Sequence, residues 1–220
     1  MRAYHFINLQ YGLQGIKRRK LKISRLEDLN DPFELMSLEL SNKTVRNAFI
    51  ALKTQLDQSR GILCFSERWD NPVIWSHYAD KHKGICLEFE VPSALLSKIN
   101  YSQARLKDQI KILLNSDHAS QEEAMMRVLM TKFAHWRYER ERRIFLGLEE
   151  IESDGNYYAD FSDELKLVGV IVGARCQVTR TEIAAALSEG KIAKPVKVFK
   201  ARLAFKSFRV VRNHNEKLWT

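Results

Sequence analysis

Residues 167–172 read Leu-Val-Gly-Val-Ile-Val, an almost unbroken apolar run. A run of that length and composition is the mark of a strand buried on both faces. A sheet containing such a strand must be covered on each side, so helices have to pack against it. The remaining sequence supplies both kinds of element. Residues 4–7 and 20–25 read as strands, with Leu21 and Ile23 of the second on one face, and residues 8–18 between them as a short helix. Asp31 before Pro32 is pushed out of the helical region, so residues 30–34 form a turn. Val45, Phe49, Leu52 and Leu56 make one apolar stripe of a helix over residues 42–57.

Further elements follow from local signals. Residues 61–65 and 84–89 read as strands, and Asn71-Pro72 between them as a capped helix start. The pattern Ser120-x-x-Glu123 predicts a capping box opening a helix that runs to about residue 133, and residues 138–146 are read as a strand. Thr179-x-x-Glu182 predicts a second capping box, with Gly190 closing that helix. Phe199, Ala201, Leu203 and Phe205 alternate with Lys200, Arg202 and Lys206, which predicts a strand with one buried and one basic face. The elements lack a regular βαβ rhythm and a Gly-rich phosphate loop. The expected fold is therefore α+β: a single domain over residues 1–220, with a mixed or mostly antiparallel sheet and flanking helices. No linker, repeat or Gly/Ser-rich run divides the 220 residues.

Charge and cysteine usage narrow the setting. The net charge is +9, with Lys17, Arg18, Arg19, Lys20, Lys22 and Arg25 in one tract and eight Lys/Arg and no acid over residues 191–212. Such a surface attracts anions, either nucleic acid or an acidic protein, and Lys20, Arg25, Lys200, Arg202 and Lys206 are the candidate contacts. No stretch approaches the roughly 18 apolar residues that span a bilayer, and the first ten residues lack a signal core, so no membrane association is expected. Cys64, Cys86 and Cys176 form no C-x-x-C pair. Disulfides and zinc are not expected, and the reduced cytoplasm is the expected compartment. The sequence leaves the oligomeric state open.

The chemistry concentrates in two segments. Cys64-Phe65-Ser66-Glu67 leads to Trp75-Ser76-His77-Tyr78. Small polar groups at strand ends beside aromatics suit a stacking pocket for a planar ligand. The second segment runs Lys132 to Arg143 and contains His135-Trp136-Arg137-Tyr138-Glu139-Arg140-Glu141. On a strand, Glu139, Glu141 and Arg143 share a face, where a carboxylate meets a ribose hydroxyl or a developing cation. The alternative is a ladder of exposed ion pairs, each worth little. Neither a Walker loop nor H-E-x-x-H nor G-x-S-x-G occurs, and the histidines suggest no metal set.

Taken in order, Asn30-Asp-Pro-Phe-Glu34, Cys64-Phe-Ser-Glu67, Trp75-Ser-His-Tyr-Ala-Asp80 with Lys83-Gly-Ile-Cys86, Trp136 to Arg143, and Val168-Gly-Val-Ile-Val-Gly-Ala-Arg175 resemble the signature blocks of a bacterial family. It is the domain-of-unknown-function family numbered twenty-nine seventy-one, whose name implies no activity. The layout is also similar to the ADP-ribosyltransferase superfamily, which holds NAD in a split β-sheet. That second resemblance implies His5 on the first strand for the nicotinamide-side ribose, and Phe65-Ser66 at the end of a middle strand. It implies Ser76 and Tyr78 on the following helix, with Trp75 beside them and Tyr78 stacking on the nicotinamide. Glu141 or Glu139 would then stabilise an oxocarbenium-like transition state. Phe6 and the long interval from Tyr78 to Glu141 depart from the superfamily's usual pattern.

Three functional readings follow. The first is an NAD-dependent ADP-ribosyltransferase-like enzyme, a toxin or defence effector. The second is a non-catalytic module for nucleic acid or a nucleotide, in which Trp75/Tyr78 and Trp136/Tyr138 are stacking platforms. The third is a metal-dependent nuclease using Asp31, Glu34 and Glu139 or Glu141.

Overall fold

A computed structural model describes residues 1–34, 36–107, 109–192, 195–215, 217 and 219 of the chain. The elements in order are β1 (Arg2–Ile7), α1 (Leu9–Arg18), β2 (Lys20–Arg25), α2 (Lys43–Ser59), β3 (Arg60–Ser66), α3 (Pro72–Tyr78), β4 (Ile85–Glu90), β5 (Ser97–Lys98), β6 (Asn100–Ser102), α4 (Gln109–Asn115), α5 (His118–Leu129), β7 (Thr131–Phe133), β8 (Glu141–Gly147), β9 (Tyr157–Asp160), β10 (Lys166–Val172), α6 (Arg180–Glu189), β11 (Lys197–Leu203) and β12 (Val210–Arg212). The fold is α+β, with a sheet ordered β12-β11-β10-β4-β1-β3-β2-β9 and helices against it. Among the described residues only β10–β11 in that sheet is parallel, and β6–β7 form a separate parallel pair.

The strand inferred from the 167–172 run is the middle of the structure. It pairs with β4 on one edge and β11 on the other. Its side chains alternate between two cores. Val170 and Val172 join Leu87 and Phe89 of β4, Ile16 of α1, and Ile183 and Ala186 of α6. Ile171 instead joins Cys86 and the fully buried Trp75 of α3. A third core lies behind β3 and β8, where Ile62 packs with Leu26 and Leu129.

The helix ends follow their sequence signals. Asn8, Asn42 and Asn71 each accept a backbone N–H from the first turn of the following helix. The Thr179–Glu182 capping box is closed in both directions, and Gly190 ends α6. In the turn before α2, the Asp31 Oδ1 accepts Phe33 N at 2.9 Å. Gly84 is required by close approach, because a Cβ there would sit 2.2 Å from the Ile7 carbonyl oxygen.

Four expectations need correction. The box starting at Ser120 is not the helix start: Asp117 is the cap, accepts Ser120 N at 3.1 Å, and places His118 in the first turn. That helix stops at Leu129 rather than 133, because Thr131–Phe133 leaves to pair with β6. The strand read from residue 138 begins at Glu141. Ala134–Glu139 form a 3-10 turn, and Arg140 sits at φ 46° in the left-handed region, which breaks the extended geometry. At the other end of the chain, β11 stops at Leu203, and Phe205 lies 91% exposed instead of on a buried face.

The sheet is not continuous at β3. One edge of β3 pairs with β8 along its length, from Arg60↔Gly147 to Ser66↔Glu141. The other edge is shared. β1 meets it only at Tyr4↔Ser66, and β2 only at Ser24↔Ile62 and Arg25↔Gly61. Leu63 to Phe65 face a gap between those two contacts, so the sheet splits there.

Candidate functional site

The split opens into a cleft of about 380 Å³. Its walls are β1 (His5, Ile7), β2 (Lys22, Ser24) and β3 (Cys64 to Ser66), and Tyr78 closes one side. At its floor lie Glu34, Lys132, Glu139, Glu141 and Arg143. A missing ladder bond explains His5. Its Nδ1 lies 2.9 Å from the Cys64 carbonyl oxygen, so the imidazole crosses the gap that the backbone leaves. A carbonyl only accepts, so Nδ1 carries the proton and Nε2 is left as an acceptor. Burial lowers the His5 pKa, which keeps the ring neutral.

The floor is a buried ion cluster. Lys132 Nζ lies 3.2, 2.8 and 3.1 Å from carboxylate oxygens of Glu34, Glu139 and Glu141. Arg143, 1% exposed, donates Nε to Glu141 at 2.6 Å and Nη2 to Glu34 at 2.6 Å. Three carboxylates thus face two cations in a region of low dielectric. Paired burial of this kind is tolerated only when every charge has partners.

The two candidate glutamates differ in environment. Burial pushes Glu141 up, but Arg143 and then Lys132 outweigh it and hold its pKa down to about 2. Both of its oxygens are held by those cations. Glu139 goes the other way: burial raises it, and Lys132 does not fully offset that and the charge of Glu141. Its Oε1 accepts the Tyr78 hydroxyl at 2.5 Å and its Oε2 accepts Lys132 at 2.8 Å. The Tyr78 hydroxyl in turn accepts Asn30 Nδ2 at 3.0 Å. Burial first, then the Glu139 charge, raises the Tyr78 pKa and keeps the phenol protonated as a donor. The Cys64 thiol is raised well above its ordinary value by burial and by Glu141, so it does not act as a thiolate.

Several residues singled out from sequence come together here, and others do not. His5, Phe65, Ser66, Tyr78, Glu139 and Glu141 all line the cleft. Ser66 is tied inward, its Oγ donating to the Glu139 carbonyl at 2.6 Å. Trp75 lies outside the cleft, fully buried, with its indole N–H on the Trp69 carbonyl. Ser76 is exposed and bonds back to the Pro72 carbonyl. Trp136 lies beside the floor, under the Lys132 ammonium, with Tyr138 and His77 next to it. Of the nuclease set, Glu34, Glu139 and Glu141 converge, but on the Lys132 ammonium. Among the described residues no His, Cys, Asp and Glu group is arranged to hold a metal ion.

The sequence missed the role of Lys132, Arg143 and Asn30. Lys132 looked like part of a charged surface run, and only the break of the helix at Leu129 turns it inward. Asn30 belongs to the Asn-Asp-Pro-Phe-Glu block, whose Glu34 also reaches the floor. The basic tract between residues 17 and 25 is largely matched by acids distant in sequence. Lys17 pairs with Glu189, Arg18 and Lys20 with Glu152, and Arg25 with Asp57. Lys22 stays exposed at the cleft rim. Lys200 donates to the Cys176 carbonyl, while Arg202 and Lys206 lie near the tip of the β11–β12 hairpin. The free thiols are Cys64, Cys86 and Cys176, and no helix among the described residues is long and apolar enough to cross a membrane.

Residues 74–144 match a family described as "Protein of unknown function (DUF2971)". That segment contributes Tyr78, Lys132, Glu139, Glu141 and Arg143 to the cleft, whereas His5 and the split of β3 lie outside it. No curated protein and no solved structure matches the chain.

Proposed function

We propose that the cleft binds NAD as substrate and breaks its nicotinamide N-glycosidic bond, giving an ADP-ribosyltransferase-like activity. The observation that carries this reading is Glu139. It is a carboxylate with raised pKa, held by Tyr78 and Lys132 at the floor of a cleft whose opposite wall offers the neutral imidazole of His5. Breaking the bond from C1′ to the ring nitrogen leaves an electron pair on nicotinamide and a cation on the ribose. A fixed carboxylate close to that carbon stabilises the cation, and does so strongly in a water-poor site.

Each remaining wall residue has a task in this reading. His5 Nε2 accepts a ribose hydroxyl. Glu139 keeps a lone pair on Oε1 besides the one used by Tyr78, which receives the 2′-hydroxyl. The ring of Tyr78 offers apolar surface to the nicotinamide, Phe65 being packed into the core behind it, and exposed Lys22 at the rim meets the pyrophosphate. Glu141 and Arg143 lock Lys132 and thereby the carboxylate. Glu139 is thus the catalytic group, and Glu141 a positioning residue. The cation is then captured by water, releasing ADP-ribose and a proton, or by a nucleophile on a target.

Nicotinamide release from millimolar NAD measures the activity. Glu139→Gln keeps the side chain's shape and hydrogen bonds to Lys132 and Tyr78 replaceable, but it removes the charge. Release by the wild type that falls at least about 100-fold in Glu139→Gln, with NAD binding retained, supports the reading. Equal release by the two proteins would remove Glu139 from the chemistry.

A further inference from the structure

The hairpin joining β11 to β12 presents a surface that folding does not explain. Its loop is closed by Ala204 N donating to the Arg209 carbonyl at 2.9 Å, and its strands register as Leu203↔Val210 and Arg202↔Val211. Phe205 is 91% exposed and Phe208 fully exposed. Each aromatic ring left in water forgoes about 1.5–3 kcal/mol of burial, so neither contributes to the fold. Residues 191–212 carry eight Lys/Arg and no acid, and the facing acid Asp70 meets Arg209 at the base of the hairpin, 3.7 Å away. The basic tract of α1 and β2 is largely matched by acids, whereas Arg202 and Lys206 stand beside the exposed rings at the hairpin tip.

The tip is concave as well as basic. A groove of about 380 Å³ is lined by Arg202, Phe205, Lys206, Arg212 and His214. The Arg202 guanidinium lies 4.6 Å from the Phe205 ring centroid, which stiffens one face of that ring as a platform. Rings for stacking, alternating with cations for phosphates, are the two components that hold an unpaired nucleic acid strand. A duplex hides its base faces and does not use such rings. We propose that the β11–β12 hairpin is a binding site for single-stranded nucleic acid, with bases stacked on Phe205 and Phe208 and the backbone on Arg202 and Lys206. The groove beside Phe205 has room for a flat base, while Phe208 projects from the tip outside its lining. This inference stands independently of the NAD reading.

Fluorescence anisotropy of labelled fifteen-nucleotide single strands, DNA and RNA, tests it at 50 and 200 mM salt on the full chain. The account predicts binding to the single strand that exceeds binding to the matching duplex and weakens steeply with salt. Phe205→Ala and Phe208→Ala each weaken it roughly tenfold. Lys206→Ala lowers the slope of log affinity against log salt by about one. These positions are exposed, so the variants keep the wild-type unfolding temperature. Three results would overturn the proposal: no binding at 50 mM salt, equal binding by the phenylalanine variants, or sedimentation with phosphatidylserine vesicles in place of oligonucleotide binding. The last would assign the hairpin to an anionic membrane surface.

Discussion

Glu139 and Glu141 stand two residues apart and carry opposite perturbations, because the cations reach them unequally. Arg143 forks onto Glu141, whereas Glu139 faces Lys132 and a neutral phenol. Their removal should therefore cost different amounts. Glu141→Gln leaves Arg143 buried with one partner fewer, a loss of about 3–5 kcal/mol, which lowers the melting temperature by roughly 6–20 °C. Glu139→Gln relieves repulsion from Glu141 while Lys132 keeps Glu34 and Glu141, so stability should stay within about 1 kcal/mol of wild type. Urea unfolding of the two variants checks both. The pH dependence has a definite sign. Glu141 falls from the ordinary 4.5 to about 2, so its contribution is full above 4.5 and is lost as pH falls toward 2. Glu139 is raised, so its ionisation costs stability as pH climbs above 4.5, and Glu139→Gln should gain on the wild type over that range.

Elements were legible where a local signal decided them. Asn71-Pro72, the Thr179 box and the 167–172 run each fix their own element without help from the rest of the chain. The capping box of α6 gives a direct check: Thr179→Ala removes the acceptor for Glu182 N, costing about 1 kcal/mol, or roughly 2–4 °C in melting temperature. A smaller loss would mean that α6 is held by its packing on α1 and the sheet rather than by its cap. The misread elements are those set by distant partners. Nothing near Leu129 announces that α5 stops there, because the break follows from pairing of Thr131–Phe133 with β6 about thirty residues earlier. The same break turns Lys132 into the cleft. Likewise Arg140 takes a left-handed conformation that no glycine or asparagine signals, which separates Glu139 from the strand that carries Glu141.

At the scale of the molecule, the decisive feature is the divided edge of β3, shared by β1 and β2 with a gap between them. A sheet interior without ladder bonds leaves backbone groups to be satisfied, and His5 does so for Cys64. Ser66, Tyr78 and Glu139 could be chosen from the sequence because each sits in a short run of aromatic and polar residues, and His5 through the superfamily resemblance. Their convergence could not be, since it depends on where two strands stop pairing. Trp75 illustrates the limit: it shares its segment with Tyr78, yet a helix turns one to the core and the other to the cleft.

The central claim is that the split holds NAD through His5, and thermal unfolding with and without millimolar NAD tests it most directly. Ligand at about 100 times its dissociation constant stabilises by about 2.7 kcal/mol, or roughly 5–11 °C for a chain of this length. The account predicts a shift of that size in the wild type and in Phe205→Ala, and its loss in His5→Ala. A wild type that melts at the same temperature with and without NAD, or a His5→Ala variant that keeps the full shift, would contradict it.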